Sequence, residues 1–205
     1  MTADQYLLQI LQKYDVDRNG RVNPAFRVLP DLGADLHGAF GGSLSRVQLS
    51  GSYAKGTAVA GGTDVDLFLS FAPSATTLHD IYQDVYDHAE RAGYAPRKQN
   101  VSIGITYAGR AVDLVPGRQQ ATPGYHSLYR RRANTWTQTN VDLHIQRVVN
   151  SGRTPEIRVL KISRNPYRPD CPSISLELLA LGAFANPPAS GFADSIFASF
   201  RYIDI

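Results

Sequence analysis

Two aspartates separated by one residue stand at the head of an apolar run in "GSYAKGTAVAGGTDVDLFLSF", Gly51 to Phe71. Alternate side chains on a strand share a face, so Asp64 and Asp66 project to one side while Val65 and Leu67 project to the other. Carboxylates held that close repel one another, and a cation is needed to keep both charged. Magnesium is the natural candidate, because it takes oxygen ligands and usually binds one or two carboxylates together with substrate phosphates. A third carboxylate, Asp113, lies in "AVDLVPG", a second strand whose other residues are apolar. If the two strands are neighbours, the three aspartates form a cluster able to hold two metal ions, one activating a hydroxyl and one holding a triphosphate. Gly51-Ser52 ends the preceding strand and opens a helical turn, which presents N–H groups and a hydroxyl to phosphate oxygens. Alone, an Asp-x-Asp is usually a solvated strand edge and a Gly-Ser pair a turn. In this order, with strand flanks and a third aspartate in apolar company, they point to phosphate and metal chemistry.

The elements that must position these residues follow from periodicity. "ADQYLLQILQKY" carries a helical stripe of Leu7, Ile10, Leu11 and Tyr14. A second helical stretch, "NPAFRVLPDLGADLHGAF", is expected to break near Pro30. "SRVQLSG" and "DVDLFLSF" read as strands joined by the Gly-rich connection. Leu78, Ile81, Tyr82, Val85, Tyr86 and Ala89 line one face of a helix capped by Thr77 and stopped by Gly93. "VSIGITY" and "RAVDLVP", joined at Ala108 and Gly109, read as a hairpin. From about Trp136 onward the pattern is helical, in four segments separated by Gly and Pro. The expected class is α+β: a mixed sheet flanked by helices over residues 1–133, then a helical lobe over 134–205.

Composition excludes several classes. At 205 residues and 43% hydrophobic content, the chain can bury a substantial core. No run reaches the length of a membrane span and no leader pattern opens the chain, so the expectation is a cytoplasmic protein. Cys171 is the only cysteine, which excludes disulfides and multi-thiolate zinc. The net charge of +3 is concentrated in "YRRRANTW", a stretch equally consistent with a phosphate contact and with a solvated basic turn. "DVDRNGRVNPAF" imitates a calcium loop at Asp15, Asp17, Asn19 and Gly20, but Phe26 stands where the bidentate glutamate is required, so a turn is the expectation.

"GSYAKGTAVAGGTDVDLF" with the later "VDLVP" resembles the nucleotidyltransferase superfamily that includes DNA polymerase β, the CCA-adding enzymes, oligoadenylate synthetases and cyclic GMP-AMP synthases. The resemblance implies a polymerase-β-type palm and two-metal nucleotidyl transfer, with Asp64, Asp66 and Asp113 as ligands of two magnesium (or manganese) ions and Gly51 and Ser52 on the triphosphate. "NTWTQTNVDLHIQRV", "IRVLKISR" and "CPSISLELLALGAF" are similar to the helical lobe of the bacterial CD-NTases, which make cyclic di- and trinucleotide messengers in anti-phage defence. That likeness implies phosphate contacts by Lys161 and Ser173 and runs from Gln48 to about Ala185. On its own, a lysine among Ile157, Leu160 and Ile162 is more often a snorkelling edge residue, and Trp136 and His144 read as packing residues. Chains of the family continue with further helices, so the second lobe is expected to be incomplete here.

The partners implied are nucleoside triphosphates, with no membrane and no obligatory nucleic acid. The alternative is a CCA-adding or other RNA-terminal nucleotidyltransferase, which would take tRNA and would need more chain to grip it. A minimal transferase modifying a partner protein, and a non-catalytic nucleotide-binding module, are further rivals; the helical lobe counts against the first and the intact aspartate set against the second. Base choice, linkage, product size, activating signal and oligomeric state have no sequence signature here.

Overall fold

The computed structural model describes residues 1–16, 25–61, 64–164, 173–183 and 191–203. Asp17, Asn19 and Gly20 of the calcium-like stretch and Cys171 lie outside the described residues, whereas Asp15 accepts a bond from Arg158 (2.7 Å). Two compact units emerge. One comprises residues 17–54 and 64–145, and the other residues 1–16, 55–63 and 146–205.

The first unit is built on a mixed sheet of β1 (Leu44–Leu49), β2 (Val65–Phe71), β3 (Arg97–Lys98), β4 (Ile103–Tyr107), β5 (Arg110–Gln119), β6 (His126–Arg130) and β7 (Thr135–Thr139). The order is β1-β2-β5-β4-β3, with β6 on the far end of β5 and β7 on β6. Only β2 and β5 run parallel; the other pairs are antiparallel. Helices α2 (Ala25–Phe40) and α4 (Leu78–Arg91) supply Leu32, Leu36, Ile81 and Val85 to the same core as Val65, Leu67, Leu69, Val112 and Leu114. Both helices therefore use the odd-numbered face of β2. Asp66, Phe68 and Ser70 are left on the other face, as the strand period requires.

Helix α2 corrects one expectation, because it continues through Pro30. The proline removes one backbone bond and crowds the preceding turn, a cost of about 3 kcal/mol. Val28, Leu32 and Leu36, all almost wholly buried on one stripe, each offset about 1.5–3 kcal/mol. A second correction concerns Trp136, which lies on β7, an exposed strand paired with β6, and not at the start of a helix. The expected hairpin is present: Ala108 and Gly109, both at positive φ (48° and 73°), join β4 to β5.

The second unit contains α1 (Ala3–Lys13), α6 (Thr154–Arg164), α7 (Ser173–Ala183) and α8 (Phe192–Ile203), with the C-terminal part of α5 (Val141–Asn150). This division differs from the one expected at residue 133, because α1 belongs to the helical unit. Leu11 packs with Val159 and Ile196, Asp4 accepts from the Ala193 N–H (2.7 Å), and Arg158 donates to the Leu11 carbonyl (3.3 Å). Among the described residues no helix is long and apolar enough to cross a membrane.

On the sheet face opposite α2 and α4, buried His126 ties β6 to β2. Its Nδ1 donates to the Gly124 carbonyl (3.3 Å), so Nε2 accepts the Ser70 hydroxyl (2.8 Å), and its ring meets Phe68 edge-on at 4.8 Å. Burial holds its pKa below the ordinary histidine value. The unfolded chain therefore takes up a proton before the native state does, so stability falls as pH drops below about 6.5 by up to about 1.4 kcal/mol per pH unit. Urea unfolding of wild type and His126→Gln between pH 7.5 and 5 should show a shallower acid slope for the variant.

Candidate active site

The parallel register of β2 and β5 sets Asp66 directly beside Asp113. Each is flanked by residues of the opposite face, Val65 and Leu67 on one strand and Val112 and Leu114 on the other, so both carboxylates project from the face opposite α2 and α4. Asp64 stands exposed just before β2 and close enough for its charge to act on Asp113. Burial first, and then the charge of Asp64, pushes the Asp113 carboxyl above the ordinary aspartate range, opposed by the Gln99 amide and Arg97.

Gly51 explains the glycine of the motif. Its φ is +57°, a left-handed value, and a Cβ there would run into the Asp66 carboxylate. The Ser50 N–H donates to the Asp66 carbonyl (2.8 Å), which fastens the start of α3 (Gly51–Lys55) to β2. Ser52 follows, half-buried, on the first turn of α3, and Tyr53 packs against the sheet core. The expected aspartates and the Gly-Ser pair are thus gathered around β2 and β5.

Sequence reasoning missed two members of this neighbourhood. The Gln99 Nε2 donates to Asp113 Oδ1 (2.9 Å), and Gly104, opposite Asp113 on β4, leaves the space that this amide occupies. Neither belongs to a local pattern; both act only through strand pairing.

Lys161 and Ser173 belong to the helical unit. Lys161 is almost completely buried, and its ammonium donates to Glu177 Oε1 (2.6 Å) and Thr57 Oγ1 (2.8 Å). Lys55 donates to the other Glu177 oxygen (2.7 Å), and Thr57 reaches Glu177 Oε1 at 3.2 Å. Burial lowers the Lys161 pKa against the pull of Glu177. Burial would raise Glu177, but the two lysines outweigh it and hold the carboxyl below the ordinary glutamate range. Ser173 opens α7, exposed, and accepts from Arg164 (3.2 Å). The missed signal was the glutamate itself: a lone acid in "SISLELLALG" needs a buried partner.

Among the described residues no three His, Cys, Asp or Glu side chains stand close enough together to hold a metal ion unaided. The donor chemistry nevertheless suits a hard cation, since the neighbourhood offers carboxylate oxygens whose mutual repulsion a positive charge would relieve.

No protein-family model and no curated protein matches the sequence. Solved structures do. The Elizabethkingia meningoseptica CdnE cyclic dinucleotide synthase, solved with GTP and Apcpp, matches with a TM-score of 0.77 at 15% identity over 99% of this chain and 84% of that one. The Bradyrhizobium diazoefficiens CD-NTase CdnG in complex with GTP gives 0.81 at 15% identity over 97% and 75%. The E. coli MS115-1 CdnC with ATP gives 0.75 at 20% identity over 98% and 72%. The chain thus has the α+β fold of these proteins, in agreement with the expected class.

Two substitutions test the packing just described. Gly51→Ala should cost about 1–3 kcal/mol through the left-handed backbone alone, with a further cost from displacing Asp66, measured by urea denaturation. Glu177→Ala leaves two buried ammoniums without their carboxylate and should cost about 3–5 kcal/mol in the same measurement.

Proposed function

We propose that the chain is a magnesium-dependent nucleotidyltransferase that joins nucleoside triphosphates into a cyclic di- or trinucleotide messenger, acting in the bacterial cytoplasm in defence against phage. The observation that carries this reading is the in-register pairing of Asp66 with Asp113, with the Gly51 backbone packed against Asp66, on the fold of cyclic dinucleotide synthases. The defence role rests on the motif resemblance alone.

In this reading Asp64, Asp66 and Asp113 hold two magnesium ions, with manganese as a substitute. Bound there, the ions supply charge neutralisation for the triphosphate and acidify the attacking hydroxyl. The N–H groups at Gly51 and the Ser52 hydroxyl hold the donor phosphates beside the carboxylates. A ribose hydroxyl of the acceptor attacks the α-phosphorus in line, the bond to the bridging oxygen breaks, and pyrophosphate leaves. No side-chain nucleophile is required. In this reading Lys161 and Ser173 contact phosphate with donors beyond those bonds, the third ammonium N–H of Lys161 and the O–H of Ser173, whose oxygen accepts from Arg164.

Incubation with labelled nucleoside triphosphates and magnesium or manganese, with and without tRNA, should yield phosphatase-resistant cyclic products. Labelled tRNA or labelled protein as the product would overturn the reading. Asp66→Asn should lower product formation by roughly two to three orders of magnitude, the kinetic equivalent of losing several kcal/mol of charge stabilisation; retained activity would sink the two-metal assignment.

A further inference from the structure

The residues between β3 and β4 are organised around one side chain. Every polar group of Gln99 is engaged. Its N–H donates to the Ser102 carbonyl (3.0 Å), and its carbonyl accepts from the Tyr82 hydroxyl (3.0 Å) and from Arg131 Nε (3.0 Å). Its Oε1 accepts from the Ser102 hydroxyl (2.9 Å), and its Nε2 donates to Asp113 Oδ1 (2.9 Å). The Ser102 hydroxyl decides which way the amide faces, because a donor on Oε1 leaves Nε2 as the atom turned toward the carboxylate. The next residue is fastened as well: the Asn100 carbonyl accepts from the Arg131 N–H (2.8 Å) and its Oδ1 from the Arg132 N–H (3.1 Å).

A separate observation points the same way. Gly104 lies opposite Asp113 in the β4–β5 ladder, and a Cβ there would sit 2.7 Å from Gln99 Nε2 and 3.3 Å from Asp113 Oδ1. Its backbone is not left-handed, so the absence of a side chain serves space and not conformation. An aspartate side chain turns about two bonds. A carboxylate held at one oxygen by a fixed N–H loses that freedom and presents its remaining lone pairs in one direction.

We propose that Gln99 is a positioning residue for Asp113, and that Tyr82 and Arg131 act on catalysis only by holding Gln99. The proposal rests on the reading of Asp113 as a metal-binding carboxylate. It also gives the basic stretch after β6 a role: Arg131 clamps the Gln99 carbonyl from a surface turn.

The test measures Mn2+ affinity by electron paramagnetic resonance in the absence of nucleotide, alongside kcat and KM with ATP. Gln99→Met keeps the volume and removes the donor; Gln99→Ala is the second variant, and melting curves verify that both fold. Expected for each is a roughly 10- to 100-fold loss of Mn2+ affinity or of kcat with KM little changed. Arg131→Ala should give a smaller loss of the same kind, and Arg132→Ala, which keeps its backbone bond, should give none. Folded Gln99 variants with wild-type Mn2+ affinity and wild-type kcat would overturn the positioning role. Asp113→Asn separates the two claims. If it leaves Mn2+ affinity and turnover intact, the two-metal reading fails; if it abolishes them while Gln99→Met does not, only the role of Gln99 fails.

Discussion

Two carboxylates forced side by side by a parallel strand register are the constraint around which the sheet unit is arranged. Asp66 and Asp113 cannot separate without breaking the β2–β5 ladder, whose alternate residues form the centre of the core. The register that buries Leu67 and Leu114 therefore also fixes the repulsion on the other face. The surroundings accommodate it in two ways. Gly51 leaves room for the Asp66 carboxylate, and Gln99 with Arg97 opposes the neutralisation of Asp113.

The helical unit carries the opposite arrangement, two ammoniums around one carboxylate. Lys55, Lys161 and Glu177 are almost wholly removed from water, and the pairing stays tolerable because each Glu177 oxygen accepts from a lysine and Thr57 joins the same group. One surplus positive charge remains in the cluster. It is held by residues from three separate stretches, the end of α3 with the segment after it, helix α6 and helix α7, so the ion network staples the unit in the way a disulfide would in a protein with more cysteines.

Legibility in the sequence followed the range of the determining contacts. Asp64, Asp66, Gly51 and the Ala108–Gly109 hairpin were legible because a strand period or a turn is written in adjacent residues. The neighbourhood of Asp113 with Asp66 was conditional on strand pairing, and the register supplied it. Pro30 misled because its local cost is visible in the sequence, while the burial of Val28, Leu32 and Leu36 that outweighs it depends on the sheet. The β6–β7 hairpin was overlooked because "HSLYR" and "TWTQT" carry few apolar residues and their strands are defined by pairing with each other and with the end of β5. Gln99 had no local signature at all. Lys161 was visible as a lysine in an apolar helix, but its partner is sixteen residues away and one helix on.

The placement of α1 in the helical unit has a consequence for the order in which the protein is made. Leu11 is synthesised well before the residues that cover it, Val159 and Ile196. Until then the apolar stripe of α1 lacks Val159 and Ile196, and the helix depends on local devices such as the Thr2–Gln5 capping box, which satisfies two N-terminal donors reciprocally. The sheet unit needs nothing after residue 145 and can close while the ribosome is still at work. The helical unit must wait until α6 and α8 have followed its first helix out of the ribosome.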